Sequence, residues 1–408
     1  MRTGSDTIAD IDWTRLFHAY GVASDTPAHL RALAGDGEEA RAEAVDHLFG
    51  AVIHQGTPWS ATPPAALVVA GLLADPRTAG AAPGHAVASG GSGLVPLRAV
   101  LLEFLGEVAE AAQPQVSEDE IRAVAHPEGR EAEVAALLEA LLDGDEDAWG
   151  DELVDAVMAR VVLDLRWIAP ILVDSVTACL DDDDLHVRSR AVGTLAALAL
   201  IPDAVARPAD LSGRLERAAR EAVGHDERCA LLLALGELGA APRDFLADPH
   251  PAVRVCAALA PALDGDAAAT REILAALEDP AAADSWLAVR PRQLFGHLRF
   301  ALVAAAVRKT GSFEELLPAA LGIAGMTNGW TVDFDWGPLL AAAFPEPVVL
   351  PEAAEPPALT GAQRRYLEAL VTNDDVWDPR IGNAHRWFGA AGLTYDRDAC
   401  RALLAGTG

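Results

Sequence analysis

Residues 182–191 read DDDLHVRSRA, and residues 248–257 read DPHPAVRVCA. The two stretches align without a gap. Each places an aspartate five residues before a Val-Arg pair, and an alanine four residues after the valine. Apolar residues rich in alanine and leucine follow both. Each stretch therefore predicts an acidic turn whose aspartate caps the apolar helix that follows.

A third, partial copy lies between them in HDERCALLLALGELG, residues 225–239. Arg228 and Leu235 keep the frame there, whereas Glu227 replaces the valine and Leu231 the alanine. The offset from Val187 to Glu227 is 40 residues, which agrees with a repeated pair of helices. The next offset, 26 residues, is short and predicts a reduced first helix near Pro242.

These residues resemble the HEAT repeat, in which an apolar helix, an acidic turn and a second helix opening with Val-Arg recur. The resemblance is strongest over residues 163–263. It implies an all-α fold, an α-solenoid of stacked antiparallel helix pairs with a helical C-terminal cap. The expected organisation is N-terminal helical repeats (1–78), a flexible Gly- and Ala-rich loop (79–93), a HEAT-like solenoid (94–351) and the cap (352–408).

Composition also favours helices, because 51% of the residues are hydrophobic but only 5% are aromatic. Much of the apolar content is alanine and leucine, which are strong helix formers. Periodicity predicts a first helix over residues 12–20 and a longer one over residues 38–55. The four cysteines form no CxxC pair, and neither a signal core nor a membrane-spanning apolar run is evident. We expect a cytoplasmic protein without membrane contact.

The formal net charge is −30. Such a surface repels phosphate backbones, so nucleic acid is disfavoured as a partner, and it attracts a basic protein. An alternative is that the charge only maintains solubility. Lys309 is the only lysine in a chain rich in alanine and arginine, a bias typical of GC-rich bacterial genomes.

Two acidic turns and one aromatic cluster are the candidate partner-binding residues. The acidic turns resemble cation sites, but the first lacks the glycine and the bidentate glutamate of a calcium loop. His47 and His54 stand seven apart and can share a helix face, but no third ligand is evident, so no metal site is predicted. The candidate residues are Asp143, Asp145, Glu146, Asp147, Asp181, Asp182, Asp183, Asp184, Trp377, Arg380 and Trp387.

Two classes of function follow. The first is a non-enzymatic protein-protein interaction scaffold, an adaptor or an immunity protein that binds a basic protein, with no cofactor and no catalytic residue. The second is a DNA glycosylase acting on alkylated bases, since some of these resemble HEAT arrays. It would need a positive groove holding a tryptophan, such as Trp167 or Trp286, and a carboxylate. The basic residues available for such a groove are Arg290, Arg292, His297, Arg299, Arg308 and Lys309.

Overall fold

The computed structural model describes residues 2–83, 94–113, 116–206, 208–345 and 359–406. The chain is predominantly helical, with 67% helix and 3% strand. This confirms the all-α class, while the stacking of helices into one solenoid stays a prediction. The alanine- and leucine-rich composition explains the outcome, because these residues favour helices and pack helices closely.

The chain divides into two compact units. The first comprises Met1–Ala222 with Val289–Gln293, and the second comprises Val223–Ala288 with Leu294–Gly408. The short segment 289–293 therefore belongs to the first unit although it lies far along the sequence. The predicted boundary at residues 351 and 352 lies outside the described residues.

The first unit contains nine labelled helices and three short hairpins among its described residues. The helices are α1 (Thr26–Ala32), α2 (Glu38–His47), α3 (Thr62–Leu72), α4 (Leu97–Ala112), α5 (Glu118–Ala125), α6 (Glu131–Leu142), α7 (Val154–Thr177), α8 (Leu185–Ala199) and α9 (Pro208–Glu221). The antiparallel strand pairs are β1 (Phe17–His18) with β2 (Gly21–Val22), β3 (Ile53–His54) with β4 (Thr57–Pro58), and β5 (Ala81–Pro83) with β6 (Leu94–Pro96).

The second unit is helical throughout its described part. Its helices are α10 (His225–Glu237), α11 (Pro251–Ala258), α12 (Ala267–Leu277), α13 (Pro280–Asp284), α14 (Leu298–Lys309), α15 (Phe313–Ala324), α16 (Trp336–Ala343), α17 (Gly361–Thr372), α18 (Gly382–Ala390) and α19 (Arg397–Ala405). Short 3-10 turns join elements in both units, at Ser5–Asp10, Trp13–Arg15, Pro76–Ala79, Glu146–Gly150, Arg243–Ala247, Pro261–Leu263, Gly329–Thr331 and Asp374–Val376.

The helix predicted over residues 12–20 is wrong. A 3-10 turn at Trp13–Arg15 gives way to β1, and Phe17 is fully buried. The Phe17 N–H donates to Ser60 Oγ at 2.8 Å, and Gly21 takes a φ of +119° that closes the hairpin. A nine-residue helix is marginal by itself, so burial of Phe17 and its backbone partner decides the conformation.

The helix predicted over residues 38–55 is correct only as far as His47. A π-helical turn, Leu48–Val52, follows, and the chain then enters β3. Gln55 and Gly56 both have positive φ, 52° and 78°. These two residues form the tight two-residue turn that joins β3 to β4. The chain therefore leaves the helical conformation before residue 55. Of the predicted loop 79–93, Ala81–Pro83 is a strand, and residues 84–93 lie outside the described residues.

The two aligned copies have the same local geometry. Asp182 Oδ1 accepts the N–H of Asp184 at 3.0 Å, and Asp248 Oδ1 accepts that of His250 at 2.8 Å. Arg188 donates to the carbonyls of Asp182 and Asp183, as Arg254 does to those of Asp248 and Pro249. Val187 and Ala191 are buried, as are Val253 and Ala257. The repeated pattern thus encodes one turn-and-helix-start structure twice.

The capping detail differs from the prediction. The turn aspartates, Asp182 and Asp248, hold the turn, and the residue two positions later caps the helix. Asp184 accepts the N–H groups of His186 and Val187, and His250 Nδ1 accepts that of Ala252. An N-cap acceptor satisfies helix N–H groups that otherwise lack partners.

Candidate binding cavity and histidine cluster

The first acidic turn, residues 143–147, is exposed at each position. It joins α6 to the 3-10 turn Glu146–Gly150. Asp145 Oδ1 accepts the N–H of Asp147 at 3.0 Å and so caps that turn. Asp143, Glu146 and Asp147 present their carboxylates to solvent. This turn fits the expectation of a solvated acidic surface.

The second acidic turn has only two carboxylates available to solvent. Asp181 and Asp183 are exposed, whereas Asp182 and Asp184 are half-buried. Asp182 pairs with Arg98 at the start of α4, and Asp184 caps α8. Two of the four aspartates predicted to bind a partner, Asp182 and Asp184, therefore make contacts within the fold instead.

The aromatic C-terminal cluster is packed within the second unit. Trp377 stacks on Tyr395 with ring centroids 5.3 Å apart, and its Nε1–H donates to the Leu370 carbonyl at 2.9 Å. Trp387 Nε1–H donates to Asp333 Oδ1 at 2.7 Å. Arg380 is exposed and pairs with Asp378 at 2.7 Å. Both indole N–H groups are thus used inside the unit, as expected of a packed cap.

A cluster of histidines lies where the first two hairpins meet α1 and α2. His18 ends β1, His47 is the last residue of α2, and Asp25 stands at the N-cap position of α1. The Asp25 carboxylate makes no cap hydrogen bond. Instead, its Oδ1 lies 3.0 Å from His18 Nε2. The ligand atoms of His18, Asp25 and His47 all lie within 4.8 Å of one another.

Neighbouring groups fix the two rings. His18 Nδ1 accepts the Tyr20 N–H at 3.1 Å, so Nε2 carries the proton that Asp25 accepts. His47 Nε2 lies 2.9 Å from the Thr26 hydroxyl, and the His29 ring stacks on that of His47 at 4.2 Å. His18 is buried, whereas the Asp25 side chain is 54% exposed. Hydrogen bonds and ring stacking therefore hold the two imidazoles in place, and the Asp25 edge of the cluster is open to solvent.

Protonation follows from these surroundings. Burial, together with the charge of His29, lowers the pKa of His47 to about 4, so this ring is neutral at pH 7. Burial raises the pKa of Asp25, but the hydrogen bond and the charge of His18 outweigh it and lower that pKa below its usual value. At neutral pH the cluster thus holds an ionised carboxylate and a neutral imidazole.

A second feature of the first unit is a cavity of about 410 Å³ between the N-terminal 3-10 turn, α3 and α7. Pro63, Pro64 and Leu67 form an apolar wall. Asp164 and Trp167, one helical turn apart on α7, also line the cavity, and Trp167 is 68% exposed. Partial burial raises the pKa of Asp164, although this carboxylate keeps contact with solvent. No described residue hydrogen-bonds or pairs with Asp164.

The residues that line this cavity carry more negative than positive charge. The basic lining residue, Arg2, pairs with the lining residue Asp10 at 2.7 Å. Most of the basic residues considered for a glycosylase groove also lie in ion pairs. The Arg292 and Arg299 side chains are buried and pair with Glu110 and Asp284. Lys309 pairs with Asp264 at 2.7 Å.

Sequence reasoning missed the histidine cluster. It considered His47 with His54, but His54 lies in β3 and its Nδ1 is 2.8 Å from the Gly50 carbonyl. Neither His18 nor Asp25 carried a sequence signal, because spacings of 7 and 22 residues match no metal motif. The i, i+3 spacing of Asp164 and Trp167 is present in the sequence, but no pattern in the sequence indicates the cavity wall on α3.

Comparisons with protein-family models, with curated proteins and with solved structures found no match. Among the described helices, none combines the length and the apolarity that a membrane crossing requires.

Proposed function

We propose that this chain is a non-enzymatic, HEAT-like interaction protein of the cytoplasm that binds a basic protein, and that the Trp167 cavity receives an arginine or lysine side chain of that partner. The observation that carries the proposal is an exposed tryptophan beside a carboxylate that no described residue pairs with, in a cavity with one apolar wall. Tryptophan is over-represented among the residues that dominate binding energy at interfaces.

The chemistry of the cavity suits a cationic side chain. The aliphatic stem of an arginine or lysine can pack against Pro63, Pro64 and Leu67. Its charged end would meet the face of Trp167, a cation–π contact, and the carboxylate of Asp164. Because Asp164 lacks a partner within the described residues, pairing would stabilise its ionised form and lower its raised pKa.

The net charge of −30 supports the same class of partner. Exposed carboxylates at Asp143, Glu146, Asp147, Asp181 and Asp183 would accelerate the encounter with a basic protein rather than form the contact itself. Nucleic acid is disfavoured by this charge and by the paired cations described above. An adaptor and an immunity protein both fit such a scaffold.

The cavity is tested with a capped ten-residue peptide of alternating arginine and alanine, titrated calorimetrically at about 0.15 M salt. We expect Trp167→Ala to weaken binding at least tenfold and Asp164→Asn to weaken it severalfold. Trp330→Ala is the matched control, because Trp330 is 72% exposed but does not line the cavity. Equal losses in the two tryptophan variants would show that only general surface charge binds the peptide.

Steering by charge is tested separately with the association rate of the same peptide. Neutralising Asp181 and Asp183 leaves Asp182 and Asp184 to hold the fold and should slow association. The on-rate should also fall as salt rises, because the Debye length shrinks from about 10 Å at 0.1 M to about 3 Å at 1 M. A rate independent of salt and of these two carboxylates would establish that they serve solubility alone.

A further inference from the structure

We infer that His18, Asp25 and His47 form a binding site for a divalent transition-metal ion of the zinc class. The inference concerns residues outside the Trp167 cavity and does not depend on the proposed partner. Two imidazoles and one carboxylate are a ligand set that zinc and its neighbours bind through nitrogen and oxygen.

The distances suit such an ion. Bonds of about 2.0 to 2.2 Å in a tetrahedral arrangement place ligand atoms roughly 3.3 Å apart. His18 Nε2 and Asp25 Oδ1 are 3.0 Å apart, and all three ligand atoms lie within 4.8 Å of one another. Side-chain movements of at most roughly 1.5 Å would therefore bring the third ligand into bonding range.

The ligands come from three elements that the fold already holds in place. His18 is anchored by β1 next to the buried Phe17, Asp25 stands at the start of α1, and His47 ends α2. The stacked ring of His29 and the Thr26 hydroxyl orient His47. Such supporting contacts fix the direction of ligands around a metal.

The hydrogen bond between two of the ligands also suits coordination. His18 Nε2 lies 3.0 Å from Asp25 Oδ1, and a metal ion would take the place of the proton that they share. Coordination through His18 Nε2 moves the ring proton to Nδ1, which now accepts the Tyr20 N–H. Tyr20 lies in the hairpin turn and is 72% exposed, so water can replace the hydrogen bond that this shift breaks.

The Asp25 edge of the cluster is open to solvent, which gives an ion a route of entry. Three protein ligands leave a fourth tetrahedral position for water. Binding would tie β1, α1 and α2 together at one point, so the ion should also stabilise this part of the fold.

The test uses the full chain without a histidine tag. Zinc binding is measured by competition with a chromophoric chelator, and cobalt binding by the visible absorption of a tetrahedral cobalt centre. We expect one ion per chain and a raised melting temperature when zinc is added. Asp25→Asn and His47→Gln should each weaken zinc binding at least tenfold and remove the cobalt spectrum and the thermal shift.

The matched control is His250→Gln. His225 and His250 are also stacked, 3.9 Å apart, and His225 Nε2 lies 3.2 Å from Asp226 Oδ1. This pair resembles the cluster but is not among groups of three converging ligands. His250→Gln should leave zinc affinity unchanged.

Circular dichroism without metal establishes that each variant folds, and Asp25→Asn changes a half-exposed side chain at little structural cost. Zinc binding that survives both Asp25→Asn and His47→Gln would overturn the inference. So would binding that His250→Gln removes, or no binding by the unaltered chain.

Discussion

The two aligned copies share a backbone and differ in what they bury. In both, an aspartate accepts a hydrogen bond within the turn, and an arginine donates to two backbone carbonyls. A valine and an alanine are buried in each copy. Two residues after Arg188, the first copy places a buried charge, Arg190, in its interior. Arg190 Nε lies 2.7 Å from Glu103 on α4, and both side chains are less than a tenth exposed. At the equivalent position the second copy has Cys256, fully buried.

Glycines make room for the charge in the first copy. A Cβ at Gly193 would lie 2.5 Å from Arg292 Cγ, and a Cβ at Gly106 would lie 2.3 Å from Arg292 Nε. Arg292 thus passes between α4 and α8, where Glu103 and Glu110 face it. The shared pattern therefore specifies the turn and the helix start, whereas the neighbouring elements determine whether the interior is ionic or apolar.

The largest expected effect is a difference between the two copies in the stability lost on substitution at this position. Arg190→Met leaves the buried Glu103 short of a counter-ion and should cost about 3 to 5 kcal/mol. The loss should be near the lower end, because Arg292 Nε remains 3.9 Å from Glu103. Cys256→Ala removes one buried sulfur and should cost about 1 kcal/mol. Urea denaturation measures the free energy of unfolding of both variants. Equal losses would contradict the difference between the ionic and the apolar interior.

An intermediate effect should be common to both copies. Ala191 and Ala257 are fully buried, so replacing either with phenylalanine overpacks the interior and should cost about 1 to 3 kcal/mol. Ala136, exposed on α6, is the control, and Ala136→Phe should change stability by less than about 0.5 kcal/mol. Unchanged melting temperatures for Ala191→Phe and Ala257→Phe would contradict the prediction that both alanines are closely packed.

The smallest effect is a pH dependence near the ionic interior of the first copy. Burial, with the charge of Glu103, raises the pKa of Glu107 on α4 to about 7. The folded state therefore holds this proton more tightly than the unfolded state, whose carboxyl titrates near its ordinary value of 4.5. Stability is greatest below that value and is lost as pH rises through about 7.

Glu107→Gln removes this dependence. It should stabilise the protein by about 1 to 2 kcal/mol at pH 8 and by much less at pH 4. Thermal unfolding at both values measures the difference. Glu43→Gln, at an exposed position within α2, should show no such dependence. A Glu107→Gln gain that is the same at both pH values would contradict the raised pKa.

Sequence reasoning succeeded where interactions are local. The turns and helix starts of the repeated pattern depend on residues within six positions of one another. It failed at residues 12–20 and beyond His47, where backbone partners come from distant segments. The Phe17 N–H reaches Ser60, and no periodicity in a short window contains that contact.

Composition and short-range hydrogen bonds specify the helical class, the acidic charge and the repeated turn, so these features can be predicted from the sequence. Tertiary packing determines which distant side chains meet. It brings His18 and Asp25 to His47, and it places Trp167 and Asp164 in one cavity with Pro63. These contacts join segments separated by long stretches of chain. They exist because burial of the surrounding apolar residues outweighs the entropy lost in closing those loops.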